Sequence, residues 1–199
     1  MTSRIRNLGA AGAIVLLGLL AGCATATDAP AGAYKVGAAY QVTLGREWSD
    51  VSAMLGVHER GMRVLSVDGP LLNRLYLSEG LAPGESMVHS TVKEKPTPTV
   101  KADFTPQETV EFVADSVAAL GYLKVESANL RPGRFGDTDG VMFDLTGTTS
   151  EGLDVRGEGM TAVRGGKLYV ILFLAPTEHY FGDGQAEAES IMRSARFGA

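Results

Sequence analysis

Leu168-Tyr169-Val170-Ile171-Leu172-Phe173-Leu174 is the stretch on which the fold turns. Nothing charged interrupts it, Arg164-Gly165-Gly166 precedes it, and Ala175-Pro176 closes it. A short apolar run filled by β-branched and aromatic residues and bounded by turn residues reads as a strand. Both faces of this strand are apolar. It therefore belongs in the middle of a sheet, with a layer covering each side.

Working outward from it, Val141-Met142-Phe143-Asp144-Leu145 opens an earlier strand, and Ser150-Glu151-Gly152 turns the chain into the next one. Arg164-Gly165-Gly166 turns it again into the central run. Short glycine-bearing turns join antiparallel neighbours. Leu123 to Leu130 reads as one more strand, ended by Arg131-Pro132-Gly133 and a loop rich in Gly and Asp. Before that, Thr105-Pro106-Gln107-Glu108 carries the signs of a helix start: a capping hydroxyl, a proline at the first helical position, and a carboxylate able to return a bond to the cap amide. Val110, Val113, Val117 and Leu120 then recur on one face, and Gly121 can take the left-handed conformation that ends a helix. A second helical pattern covers Asp183 to Arg193, with Asp183 as its cap and Ala188, Ile191, Met192 and Ala195 on one side. The order helix, four strands, helix implies an α+β fold, an antiparallel sheet with helices packed on it.

The first half is less patterned. Tyr40 to Leu44 alternates weakly, and Arg46 to Leu55, around Trp48, predicts a short helix. Arg63 to Val67 and Leu71 to Leu77 read as a hairpin turned by Asp68-Gly69-Pro70. Lys93-Glu94-Lys95-Pro96-Thr97-Pro98-Thr99 combines charge with two prolines that a central strand would not admit. Residues 40–92 hold too few apolar side chains for a core of their own. One domain over 40–199 is expected, with a β-rich part at 40–92, a Pro-containing connection at 93–104 and the remainder at 105–199. Residues 24–39 are rich in Ala, Gly, Thr and Pro, with Asp28 and Lys35 as their only charges, so that 23–39 reads as a flexible tether.

Arg4 and Arg6, the apolar run from Leu8 to Leu20, and Leu20-Ala21-Gly22-Cys23 form a leader. This leader resembles the lipobox of bacterial lipoproteins. The resemblance implies a signal peptide over residues 1–22, a diacylglycerol on the Cys23 thiol, and a new amine on Cys23 that is commonly acylated (palmitate) in its turn. The apolar stretch, at about 15 residues, falls short of the roughly 20 that span a bilayer. Two or more acyl chains, at about 0.8 kcal/mol per buried methylene, give a lasting anchor where one chain does not. Ala24 follows the cysteine where Asp would retain a lipoprotein in the inner membrane, so the resemblance points to the outer membrane and a periplasmic domain.

Loss of the leader leaves about 177 residues, one domain of ordinary size or two small ones. The whole chain carries −5, and losing Arg4 and Arg6 makes the remainder two units more negative. Such a balance repels nucleic acid. Cys23 is the only cysteine, so its acylation leaves no thiol for a disulfide or a Cys-type zinc site.

From about Thr105 to Phe197 the chain resembles the PsbP-like superfamily, on the capped helix, the strand Lys167 to Leu174 ending in Ala175-Pro176, His179-Tyr180, and the final helix running into Ile191-Met192-Arg193-Ser194-Ala195-Arg196-Phe197. The resemblance covers about half of the chain and implies an α/β/α sandwich. Known members of that superfamily mostly bind or assemble and do not catalyse.

Candidate chemistry is sparse. His58, His89 and His179 are widely spaced and could hold a metal only by converging with a carboxylate. Glu178, His179 and Tyr180 could do acid and base work, or could anchor a loop before the last helix. Asp137-Thr138-Asp139-Gly140 has the opening of a calcium loop without its later ligands. Arg131, Arg134, Arg156 and Arg164 could form a basic patch for anionic headgroups, or could be solvated strand ends. No Gly-x-Ser-x-Gly elbow occurs, and turn formation explains Gly152, Gly157, Gly159, Gly165 and Gly166. The expectation is a non-enzymatic module, without cofactor, that meets the membrane through lipid on Cys23 and binds an envelope protein. The alternatives are a carrier or sensor of a small apolar ligand, and a hydrolase using Glu178, His179 and Tyr180.

Overall fold

The computed structural model describes residues 26–56, 61–90 and 96–198. The leader, Cys23 and His58 lie outside the described residues. Strands β1 (Thr27–Ala29), β2 (Gly32–Val36), β3 (Tyr40–Leu44), β4 (Trp48–Asp50), β5 (Met62–Ser66) and β6 (Arg74–Ser78) precede helix α1 (Pro106–Ala119). Then follow β7 (Leu123–Phe135), β8 (Thr138–Thr148), β9 (Asp154–Arg164), β10 (Lys167–Pro176), helix α2 (Gly182–Ser194) and β11 (Arg196–Phe197).

Strand β10 lies inside an eight-stranded sheet of order β1-β4-β5-β6-β10-β9-β8-β7 in which every neighbour is antiparallel. Every residue of β10 after Lys167 is buried. Its alternation divides the core in two. Tyr169, Ile171, Phe173 and Ala175 pack with Ala188, Ile191 and Met192 of α2 and with Val36, Tyr40, Val42 and Leu44 of a small sheet, β11-β3-β2. Leu168, Val170, Leu172 and Leu174 pack on the other side with Val110, Val113 and Val117 of α1. Two-sided coverage, expected from the composition of this strand, thus arises from one helix on each face. Strands from both sides of the Pro-containing connection share the one sheet, since β6 pairs with β10 from Ile171↔Leu77 to Leu174↔Arg74.

Helix α1 begins as its sequence implies. The Thr105 amide donates to Glu108 Oε2 (2.8 Å), the Glu108 amide donates to Thr105 Oγ1 (3.3 Å), and Pro106 stands where no amide donor is needed. Helix α2 does not start on Asp183. Phe181 is its N-cap and offers no side-chain bond, because a wide turn over Thr177–Phe181 runs straight into the helix. The Gly182 amide donates back to the His179 carbonyl, and His179 is held at φ 67° and ψ −68°, a strained three-residue turn for a non-glycine residue.

Elsewhere, too, the structure corrects the sequence reading. The tether expected over 23–39 contributes β1 and β2, because Ala29 and Val36 are fully buried and backbone pairing to β4 and β3 replaces the missing side chains. The helix expected around Trp48 is instead β4. Its Asp50 carboxylate accepts from the Ser52 amide (2.9 Å) and hydroxyl, fixing a turn, and Ser52 Oγ then accepts the Val64 amide (2.8 Å). Arg131-Pro132-Gly133 does not end a strand but continues β7 opposite Met142, Val141 and Gly140. Register shifts near Lys124 (φ 50°) and Asn129 (φ 52°) mark bulges, and Pro132 is tolerated because β7 is an edge strand.

Candidate functional site

Three turns meet at the end of the large sheet where β10 finishes. Each is pinned by its own backbone. Between β5 and β6, the Leu72 and Asn73 amides donate to the Gly69 carbonyl (2.9 and 3.2 Å). Asn73 Oδ1 also accepts the Val67 amide (2.9 Å) and the Ser66 hydroxyl (3.0 Å), while Asn73 Nδ2 donates to Asp68 Oδ2 (2.6 Å). After α1, the Gly121 amide donates to the Ala118 carbonyl (3.1 Å), and Gly121 sits at φ 98°. Between β8 and β9, the Thr149 amide donates to the Leu153 carbonyl (2.9 Å) and the Leu153 amide to Thr149 Oγ1 (3.1 Å).

These turns present apolar side chains to water. Leu71 is 85 % exposed and Leu153 is 45 % exposed. Leu71, expected at the start of a strand, lies in the turn that the Asn73 bonds hold, and the strand begins at Arg74. The two leucines, with Leu120, Tyr122 and Arg74, surround a hollow of about 450 Å³. A rigid turn that displays leucine does not pay for its own burial, and clustered exposed apolar groups mark contact sites.

The residues singled out from the sequence do not gather there. His58 lies outside the described residues, and His89 and His179 are exposed. No cluster of His, Cys, Asp and Glu able to hold a metal occurs among the described residues. His179 bonds through Nδ1 to Asp183 Oδ2 (3.2 Å), one helical turn on, and not to Glu178; its side chain is 71 % exposed. Tyr180 meets the imidazole edge-on, with ring centroids 5.0 Å apart. Asp137 and Asp139 pair with Arg164 and Arg134 rather than converging on one point.

Nor do the four arginines form an open basic patch. Arg134 and Arg164 are the partners just named, and Arg164 also lies over the Phe197 ring at 4.3 Å. Arg156 lies over the Phe181 ring at 4.5 Å. Arg131 joins two carboxylates that face each other across β8 and β9, Asp144 (2.9 Å) and Glu158. Glu158 is buried, and Gln185 of α2 reaches its second oxygen at 3.5 Å. Burial first, then the Glu189 carboxylate, pushes the Glu158 carboxyl up against the pull of Arg131. Burial pushes Asp144 up too, but hydrogen bonds from Asn129 and Arg131 outweigh it and hold that carboxyl below its usual range. This network ties the bulged edge strand β7 to α2. Only the glutamate on a strand that otherwise buries Gly157, Gly159, Met160 and Ala162 could have signalled it in the sequence.

No helix among the described residues is long and apolar enough to cross a membrane. No family model matches the chain, and no curated protein sequence does. Among solved structures, the chain is similar to the solution structure of cyanobacterial PsbP (CyanoP) from Synechocystis, with 12 % sequence identity and a TM-score of 0.51, over 96 % of this chain and 99 % of that one. The fold is thus PsbP-like, and the likeness reaches beyond the half that carries it in sequence to the strands before the Pro-containing connection.

Proposed function

We propose that this chain is a non-catalytic binding or assembly module of the bacterial cell envelope, carried in the periplasm on lipid attached to Cys23 at the outer membrane. The observation that carries the binding role is the set of three pinned turns displaying Leu71 and Leu153 around one hollow. By contrast, the largest cluster of charged groups on the sheet is engaged with itself, Arg131 with Asp144 and Glu158. The PsbP-like fold supports the reading, because the superfamily resemblance implies binding in preference to catalysis.

Two measurements test it. Radiolabelled palmitate should enter the wild-type protein in cells and be absent from Cys23→Ala; label that persists in the variant rules out this tether. A photo-crosslinking residue at position 71 in intact envelopes should capture one reproducible protein, and the same probe at Val163, also exposed at 43 %, should not. Capture that is equal from both positions, or absent from position 71, removes the binding face. The hollow also favours a second reading, carriage of a small ligand with an apolar part.

A further inference from the structure

The lining of the hollow includes an arginine that a purely apolar contact face does not need. Arg74 is half-buried, donates from Nε to the Pro70 carbonyl and from Nη1 to the Tyr76 hydroxyl (3.1 Å), and lines the cavity with Tyr122. Among the described residues it forms no ion pair, and its Nη2 has no hydrogen-bond partner. Arg46, Arg156 and Arg196 also lack a carboxylate, but those three are exposed and water solvates them. A guanidinium stays charged at all accessible pH, and a charge partly withdrawn from water gains from an opposite charge placed against its free N–H groups. Nη1 retains a second N–H beside the two of Nη2, a fork that matches the two oxygens of a carboxylate.

The walls state the rest of the ligand. Leu71, Leu120 and Leu153 line the cavity, and its volume of about 450 Å³ falls among small-molecule sites. One cation suits one negative charge. The acid in the cavity lining, Glu151, is exposed at the rim and accepts from the Ser150 hydroxyl (2.7 Å). The geometry points to a binding site for an aliphatic carboxylate, its head on the Arg74 fork and its hydrocarbon against Leu71, Leu120 and Leu153. This deepens the reading of the three-turn end as a binding face and does not need the lipid on Cys23, so either can fail alone.

The test uses the chain from residue 24 onward, which contains every strand and helix among the described residues. Octanoate is titrated by heteronuclear NMR, with acetate and octanol as probes that lack the chain or the charge. Octanoate should bind saturably and shift the amides of Leu71, Tyr122 and Leu153, and each control should bind at least about tenfold more weakly. Arg74→Gln should weaken octanoate about tenfold or more, the worth of a charge-assisted bond. Since Arg74 also bonds Pro70 and Tyr76, two variants outside the packed structure serve beside it: Leu71→Glu should weaken binding and Glu151→Gln should tighten it. A peptide ending in leucine, with its terminus free or amidated, separates the two sources of this chemistry. Octanoate binding assigns the site to a free fatty acid, and binding by the free-terminus peptide alone assigns it to chain ends. No saturable binding by either, binding of octanol equal to that of octanoate, or indifference to both Arg74→Gln and Leu71→Glu overturns the proposal.

Discussion

Arg131→Met should destabilise the protein by an amount that grows as pH rises from 5 to 8. Removing one partner of a buried ion pair costs about 3–5 kcal/mol, because the other charge is left stranded. Glu158 is the stranded group here, with its side chain 1 % exposed, whereas that of Arg131 is 38 % exposed. Solvent screening on the arginine side discounts the cost to about 2–3 kcal/mol at pH 8. Glu158 can escape part of that by taking up a proton. Its folded pKa is already raised, foremost by burial, so the stability linked to its protonated form is fully present below the unfolded value of about 4.3 and is lost as pH climbs through the folded value. Without Arg131 the folded value rises further. The loss then extends to higher pH and deepens. Asp144 has the opposite sign: its lowered pKa gives stability present above the unfolded value of about 3.9 and lost as pH falls through the folded one, so it adds little slope between pH 5 and 8. Urea unfolding followed by the fluorescence of Trp48, the one tryptophan and a buried one, reads this directly. A deficit that is equal at pH 5 and pH 8, or absent at pH 8, refutes the reasoning. Arg131→Met combined with Glu158→Gln should recover most of the loss at pH 8.

Further outcomes follow from single contacts. Gly159 on β9 lies under the Phe143 ring, where a Cβ would collide with it, so Gly159→Ala should cost about 1–3 kcal/mol in the same urea assay; a neutral variant means the ring does not sit there. The Tyr40 hydroxyl is buried without a hydrogen-bond partner among the described residues, and Tyr40→Phe should raise stability by about 1 kcal/mol. A drop of that size instead would show that the hydroxyl is bonded. His179→Gly should stabilise by about 1 kcal/mol by relieving the positive φ, checked by thermal unfolding, and a fall in Tm would contradict the strain.

The parts of the fold that were legible in sequence are those in which side chains carry the signal. Strand β10 is apolar on both faces because it is buried on both, and α1 shows its cap and its stripe because both are made by residues next to one another in sequence. The failures lie where backbone or distance does the work. Strands β1 and β2 hold on through main-chain pairing with few apolar anchors, so Ala- and Gly-rich composition hides them. Proline and glycine in β7 look like a turn because sequence cannot tell an edge strand from a central one. Sites fare worse for the same reason. Arg131 meets Glu158 from 27 positions away, and the hollow is built from turns near Leu71, Gly121 and Leu153 that no local pattern connects.

The early start of β1 bears on how far the domain can travel. With lipid on Cys23, as proposed, Thr27 is already fixed opposite Asp50 in the large sheet, and the four peptide steps between them reach roughly 14 Å at full extension. That leash is shorter than the width of the domain it holds. If the proposed lipid is there, so short a mooring would keep the domain against the bilayer and limit it to targets in, or within about one protein diameter of, that membrane.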